Sequence, residues 1–241
     1  AEPREAPAFH PAISAYSGGV LASDGSIRVV LSEEIQSPLA LMEPLADSPF
    51  RFRPSLSGKA YWIDARTLEF RPGAPMARGQ HYQVDFHVGN LPGLPEGDAV
   101  FRFGFQVMQQ GVRLEEALPE RLDAGQALWY RYRGQVYTAD RASGQEMQGL
   151  LDVMQDGKRL PLRWESSADG RQHEYIIDSV SRKTEAGQLV LNWKSDWPGL
   201  PEKGRSHLQI PALDSFSVVD MQLRYDPEPY IRLWFSDPLA D

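Results

Sequence analysis

The stretch IRVVLSEEI, Ile27 to Ile35, decides how this chain reads, because an echo of it, IRLWFSDPL, returns at Ile231 to Leu239. Six of the nine positions match or differ conservatively: Ile27 with Ile231, Arg28 with Arg232, Val29 with Leu233, Leu31 with Phe235, Ser32 with Ser236 and Glu33 with Asp237. The offset, 231 − 27 = 204 residues, exceeds the roughly 20–50 residues of a solenoid repeat and suits two domains of roughly 100 residues each. Within the stretch, Ile27, Val29 and Leu31 alternate with Arg28 and Val30, the period of two that marks a half-buried strand. The sequence is therefore expected to hold two β-rich domains, to open a third module at the echo and to stop inside it, as a piece of something longer would.

Composition sets the outer limits. With 41% apolar and 24% charged residues over 241 positions, the chain has enough apolar mass for one large or two medium cores. The net charge is −8 and Lys and Arg form no run longer than two, so the electrostatic footprint of a nucleic-acid binder is missing and no nucleic-acid partner is assigned. No apolar run approaches the roughly 18 residues of a membrane span. The start carries neither an initiator Met nor the apolar core of a signal peptide, as a processed exported chain would. There is no Cys, which removes disulfides, thiolate zinc sites and thiol nucleophiles together. Nineteen Pro, twenty Gly and 10% aromatics favour many short strands joined by turns.

The opening AEPREAPAFHP has three prolines, two acids and no periodicity, and reads as a linker. Gly18-Gly19 and Asp24-Gly25 supply turn positions around the first strands. LALMEPL, Leu39 to Leu45, is expected to form one helical turn, with Pro38 at its first position and Pro44 stopping it. Alternating runs follow at Phe50 to Arg53, Tyr61 to Ile63, Leu68 to Arg71, His81 to Val88 and Phe101 to Val107. In the fourth, Tyr82, Val84, Phe86 and Val88 share one face and His81, Gln83, Asp85 and His87 the other. Six or seven short strands within roughly 100 residues are the pattern of an immunoglobulin-like sandwich.

Past Gln109 the segment GVRLEEAL fits a strand or one helical turn before Pro119. Strands are expected at Ala127 to Tyr132, Gln135 to Thr138, Gly149 to Met154, Arg159 to Trp164, Glu174 to Ile177, Leu189 to Trp193 and His207 to Ile210. Asp156-Gly157 and Asp169-Gly170 are placed as hairpin turns of the primed type. Pro211 to Asp214 reads as a junction, and Phe216 begins the third module.

Several of these stretches carry a family likeness. ISAYSGGV at Ile13 to Val20, IRVVLSEEI, YWIDARTLEFRPG at Tyr61 to Gly73 and ARGQHYQVDF at Ala77 to Phe86 resemble the amino-terminal end of bacterial alpha-2-macroglobulin-like proteins. YRGQVYTAD at Tyr132 to Asp140, LRWESSADGRQHEYIIDSVSR at Leu162 to Arg182 and LVLNW at Leu189 to Trp193 look like the β-rich module that follows, and FSDPLAD at Phe235 to Asp241 is similar to the start of the next. The resemblance implies macroglobulin-like sandwich domains within a large exported, periplasmic protein. That protein is often a lipoprotein, its lipid anchor upstream of this segment. It traps peptidases that cut a bait segment, and a Cys–Gln thioester can bond to them. Its partners are the remaining domains of its own full-length chain and, through the full-length protein, target proteases. This chain has no Cys and no identifiable bait, so the reactive residues of the family have no positions here.

His81 and His87 lie about 20 Å apart on an extended strand at roughly 3.3 Å per residue, too far to share a zinc. Asp85 and His87 are same-face neighbours, but two ligands on the polar side of a strand are also what alternation alone produces. Glu33-Glu34 and Glu115-Glu116 are adjacent in sequence and on a strand would project to opposite faces, making no carboxylate pair. No nucleophile elbow, phosphate loop or H-E-x-x-H helix occurs. Trp62, Trp164 and Trp193 are assigned to sandwich cores, while Trp197 and Trp234 stay open between core and ligand contact.

The expectation is thus all-β: a linker at 1–12, an immunoglobulin-like sandwich at 13–109, a second sandwich at 110–212, and at 213–241 a junction with the first strand of a third module. Residues from Gln222 to Asp241 are expected to be poorly ordered or to borrow a sheet edge. No catalytic, cofactor or metal residue is assigned, and the chain is read as a non-enzymatic arm of a protease trap. The competing reading is a carbohydrate- or surface-binding module of an exported protein, resting on the Trp residues in loops.

Overall fold

The computed structural model describes residues 10–36, 39–92, 99–121, 128–197, 202–213, 215–237 and 239, and the chain divides into two units, Ala1–Gln109 and Gln110–Asp241. In the first unit the alternating runs become β1 (Ile13–Tyr16), β2 (Gly19–Leu21), β3 (Ile27–Leu31), β4 (Phe50–Arg53), β5 (Gly58–Trp62), β6 (Thr67–Pro72), β7 (His81–His87) and β8 (Val100–Val107). They form two sheets, β1-β3-β6-β5 and β2-β8-β7-β4. Labelled A to G in chain order, with β2 as the second half of a split A strand, these are the A-B-E-D and C-F-G sheets of the immunoglobulin fold.

The split explains the Gly18-Gly19 pair. β1 runs antiparallel to β3 in one sheet, and β2 runs parallel to β8 in the other, so the chain changes sheets between Tyr16 and Gly19. Gly19 takes a positive φ of 77°, and a Cβ on Gly18 would lie 2.8 Å from the Tyr16 ring. The glycines serve a crossing between sheets where a tight turn was expected.

Alternation then decides the core. Ile27, Val29 and Leu31 are buried, as are Val84, Phe86, Phe101, Phe103, Phe105 and Val107. Phe70 of one sheet meets Phe50 and Phe52 of the other at ring-centroid distances of 5.9 and 4.5 Å, which closes the sandwich. Each such fully buried side chain contributes about 1.5–3 kcal/mol. The helical turn expected at Leu39 to Leu45 is not formed. Leu41 and Pro44 instead bridge to Trp62 and Tyr61, and the Met42 N–H donates to the Trp62 carbonyl at 2.9 Å. β5 offers these residues backbone partners that one isolated turn cannot match.

In the second unit the strands are β9 (Val112–Leu114), β10 (Leu118–Arg121), β11 (Trp129–Thr138), β12 (Leu151–Gln155), β13 (Lys158–Leu160), β14 (Leu162–Ser166), β15 (Gln172–Ser181), β16 (Gly187–Lys194) and β17 (Lys203–Ile210), with helix α1 (Gly144–Gln148) between β11 and β12. One sheet runs β10-β11-β15-β14 with β9 also on β11, and the other runs β13-β12-β16-β17. With β9 and β10 as a broken A strand, this again is A-B-E-D against a sheet built on C-F-G. Tyr130, Tyr132, Tyr175 and Ile177 of the first sheet share one buried cluster with Val153, Leu189, Leu191 and Ile210 of the second. The Tyr132 hydroxyl donates across the core to the Gln209 carbonyl at 2.6 Å, and burial pushes its ionisation well above the ordinary phenol range.

Several boundaries differ from expectation for identifiable reasons. GVRLEEAL resolves to strand at Val112–Leu114 and again from Leu118, and Pro119 sits inside β10, which among the described residues pairs on one edge only, where a missing N–H is tolerated. The two runs at 127–132 and 135–138 are one continuous strand, with Ala127 outside the described residues. Arg159 to Trp164 splits at Pro161 into strands of different sheets. Asp156 and Gly157 both take positive φ, 50° and 75°, as a primed turn requires. At Asp169-Gly170 only Gly170 does, at 65°, inside a longer loop.

The last strands are β18 (Val218–Arg224) and β19 (Tyr230–Phe235), paired antiparallel with each other. In the segment from Gln222 to Asp241, expected to be poorly ordered or to borrow an edge, β19 is paired with a strand that begins upstream at Val218, so the Ile231 strand is preceded by another.

Candidate functional site

Of the residues singled out by chemistry, Asp85, Glu115 and Glu116 are engaged by neighbouring side chains. Asp85 accepts from Arg53 and from Arg102 Nε, the latter at 3.2 Å, so its carboxylate faces two guanidinium groups with His81 and His87 alongside on the same strand. Among the described residues no group of three or more His, Asp or Glu is placed to hold a metal ion. Glu33 and Glu34 are exposed. Glu115 pairs with Arg113, and Glu116 accepts from Ser206 Oγ at 2.7 Å. Trp62 is buried in the first core; Trp164, Trp193 and Trp197 pack at the margin of the second without being enclosed by it.

The most built-up polar site was not singled out from sequence. Arg182 follows β15, and its side chain is completely enclosed. Its Nε donates to the Pro211 carbonyl at 3.1 Å and Nη2 to the Ala212 carbonyl at 2.6 Å. The two terminal nitrogens also grip Asp237, at 2.9 Å to Oδ1 and 3.2 Å to Oδ2. The guanidinium lies 4.5 Å from the centroid of the Tyr130 ring, whose hydroxyl donates to the Ser236 carbonyl. A buried charge is tolerated only when paired and hydrogen-bonded, and the planar fork of Arg suits a carboxylate. One side chain of the second sandwich therefore holds both the 211–212 junction and the end of the β18–β19 hairpin.

The hairpin repeats the pairing of β1 with β3 in the first unit, including the serine that anchors the strand end. Ser32 N–H donates to the Ala12 carbonyl at 2.9 Å and Ser32 Oγ to the Pro11 carbonyl at 2.7 Å. Ser236 N–H donates to the Ser217 carbonyl at 2.8 Å and Ser236 Oγ to the Ser215 carbonyl at 2.9 Å. The irregular step also recurs: Ile13, Ala15 and Tyr16 oppose Leu31, Val30 and Val29, while Val218, Asp220 and Met221 oppose Phe235, Trp234 and Leu233. β18–β19 is thus an A–B hairpin of the immunoglobulin type.

Its inward face is where the two copies part. Ile27 and Val29 are 0% exposed, whereas their counterparts Ile231 and Leu233 are 60% and 43% exposed. Val218, Met221 and Leu223 on the same face are exposed as well, so one apolar sheet face is bare.

No protein-family profile and no curated protein matches this chain. Among solved structures it is similar to L,D-transpeptidase 3 from Mycobacterium tuberculosis in complex with a faropenem-derived adduct. That match has 12% identity and a TM-score of 0.30, over 71% of this chain and 76% of that one. The same transpeptidase at 1.32 Å resolution matches at 11% identity and a TM-score of 0.29, over 83% and 76%. A titin segment, A168169, matches at 7% identity and a TM-score of 0.26, over 85% and 97%. At these scores the likenesses add nothing to what strand order establishes.

Proposed function

We propose that the chain is a non-catalytic structural and interaction arm of an exported, periplasmic alpha-2-macroglobulin-like protease trap of bacteria. Two sandwiches and an A–B hairpin make a string of like modules, and the observation that carries the reading is the enclosed Arg182–Asp237 pair. It fixes the hairpin to the second sandwich, as an arm that must transmit or resist a conformational change requires. The sequence likeness described above supplies the class of parent protein. The test is to expose the full-length protein to a panel of endopeptidases and follow its hydrodynamic radius and protease retention. Cleavage followed by compaction and retention supports a trap, with the 241-residue chain alone neither cleaving nor inhibiting. Hydrolase activity of the chain alone, or a full-length protein that is cut without changing shape or holding protease, refutes it.

A second reading has one observation in its favour. A cleft of about 300 Å³ is lined by Asp152, Asn192, Trp193, Lys194, Lys203 and Arg205, and the buried Nε1 of Trp193 has no hydrogen-bond partner among the described residues. An indole beside polar groups suits a sugar ring. Retention on a glycan array that is lost in Trp193→Ala would favour a carbohydrate-binding module; no retention across the panel removes it.

A further inference from the structure

The β18–β19 hairpin has an internal template for what should pair with its outer edge. In the first unit β3 is flanked by β1 on one edge and β6 on the other, with Ile27 opposite Phe70, Arg28 opposite Glu69 and Val29 opposite Leu68. Glu69 is buried and takes ion pairs from both Arg28 and Arg71. Burial alone would raise its ionisation, but hydrogen bonds from the two guanidinium groups outweigh that and hold it below the ordinary carboxylate range. The counterpart of Arg28 is Arg232, which is exposed and lies 5.7 Å from the Trp234 ring centroid. Among the described residues β19 pairs only with β18, so the edge corresponding to that of β6 is open.

From this juxtaposition we infer that the outer edge of β19 is a strand-acceptor site for the counterpart of β6 in the hairpin's own sandwich: an antiparallel strand with a carboxylate opposite Arg232 and apolar residues opposite Ile231 and Leu233. A strand added there satisfies the open row of backbone groups, extends the apolar face beside Ile231 and Leu233 and gives Arg232 the cross-strand partner that Arg28 has. A second copy of the chain is a poor occupant. Tyr230 to Phe235 contains no acid, so β19 paired with another β19 offers Arg232 either an apolar residue or another Arg. Asp237, just beyond, is held by Arg182. The seat follows from the equivalence with β1–β3, whatever larger protein the arm serves.

The probe is a synthetic peptide copying residues 64–73, DARTLEFRPG, added to the 241-residue chain, with amide exchange at residues 231–235 and Trp fluorescence as readouts. The expected result is saturable binding at sub-millimolar peptide, with slowed exchange in β19 and none in β3. A peptide carrying Lys in place of Glu69 should bind about tenfold more weakly or worse, since like charges then face each other across the strands. The Arg232→Glu chain should reverse that preference; Arg232 is exposed, so this variant folds. Absence of protection, equal binding of the two peptides, or concentration-dependent protection of β19 without peptide, which would make a second copy the occupant, each overturns the assignment.

Discussion

Replacing Arg182 by Ala tests the joint most directly. The substitution removes the donors for two backbone carbonyls and takes from the Asp237 carboxylate the guanidinium that pairs with it. Breaking a buried ion pair by deleting one partner costs about 3–5 kcal/mol. The Asp237 side chain is 23% exposed and can partly rehydrate, so the lower figure, about 3 kcal/mol, applies. That energy holds the hairpin against the sandwich, and its loss should appear first as local opening. At about 1.4 kcal/mol per decade, amide exchange across β18 and β19 should quicken by about 100-fold, while β3 of the first unit keeps its rates. Hydrogen exchange read by mass spectrometry on overlapping peptides resolves the two regions. Asp237→Asn should recover part of the effect, and Arg182→Met with Asp237→Leu most of it, because an apolar pair carries no desolvation cost. Acceleration below about threefold in Arg182→Ala, or equal acceleration in β3, would refute the joint.

Two further outcomes follow from the second unit. His173 is fully buried, with Nδ1 at 2.8 Å from Ser166 Oγ and Nε2 at 3.4 Å from Thr138 Oγ1. Burial lowers its pKa, opposed by Asp169 and Glu146 nearby. The unfolded chain then binds the proton first as pH falls, so stability from this group is complete above about pH 6.5. Below that it declines by up to about 1.4 kcal/mol per pH unit until the folded-state pKa is reached. Urea titrations at pH 7.5 and 5.0 should show the loss in the native chain and a smaller one in His173→Gln. Gly134 lies opposite Tyr175, where a Cβ would fall 2.2 Å from the ring, and that ring is fixed by its hydroxyl donating to the Glu115 carbonyl at 2.9 Å. Gly134→Ala should cost about 1–3 kcal/mol in thermal melts, whereas Gly144→Ala, with nothing within 4 Å, should be neutral or better; equal effects would refute the packing argument.

What was legible in the sequence had local physical signatures. Alternation at Ile27 to Leu31 and Tyr82 to Val88 gave the strands and their buried faces, since successive side chains of a strand must point to opposite sides. Asp156-Gly157 gave its turn because few residue pairs accept two positive φ values. α1 was missed although Ser143 and Glu146 form a capping box, because a five-residue helix has no periodicity to detect. The helical turn expected at Leu39 to Leu45 does not form because the backbone partners of this segment, Tyr61 and Trp62, lie elsewhere in the chain.

Local pattern was enough for the all-β class, the facing of most strands and the recurrence of one strand 204 residues on (231 − 27), because these depend on neighbours two residues apart or on direct likeness. Only the folded chain shows that Gly18-Gly19 carries it between sheets, that Arg182 meets Asp237, and that among the described residues Arg232 has no carboxylate partner to match that of Arg28. The reason is the same in each case: a polar group or sheet edge finds its partner through folded geometry, across sequence separations that no local pattern records.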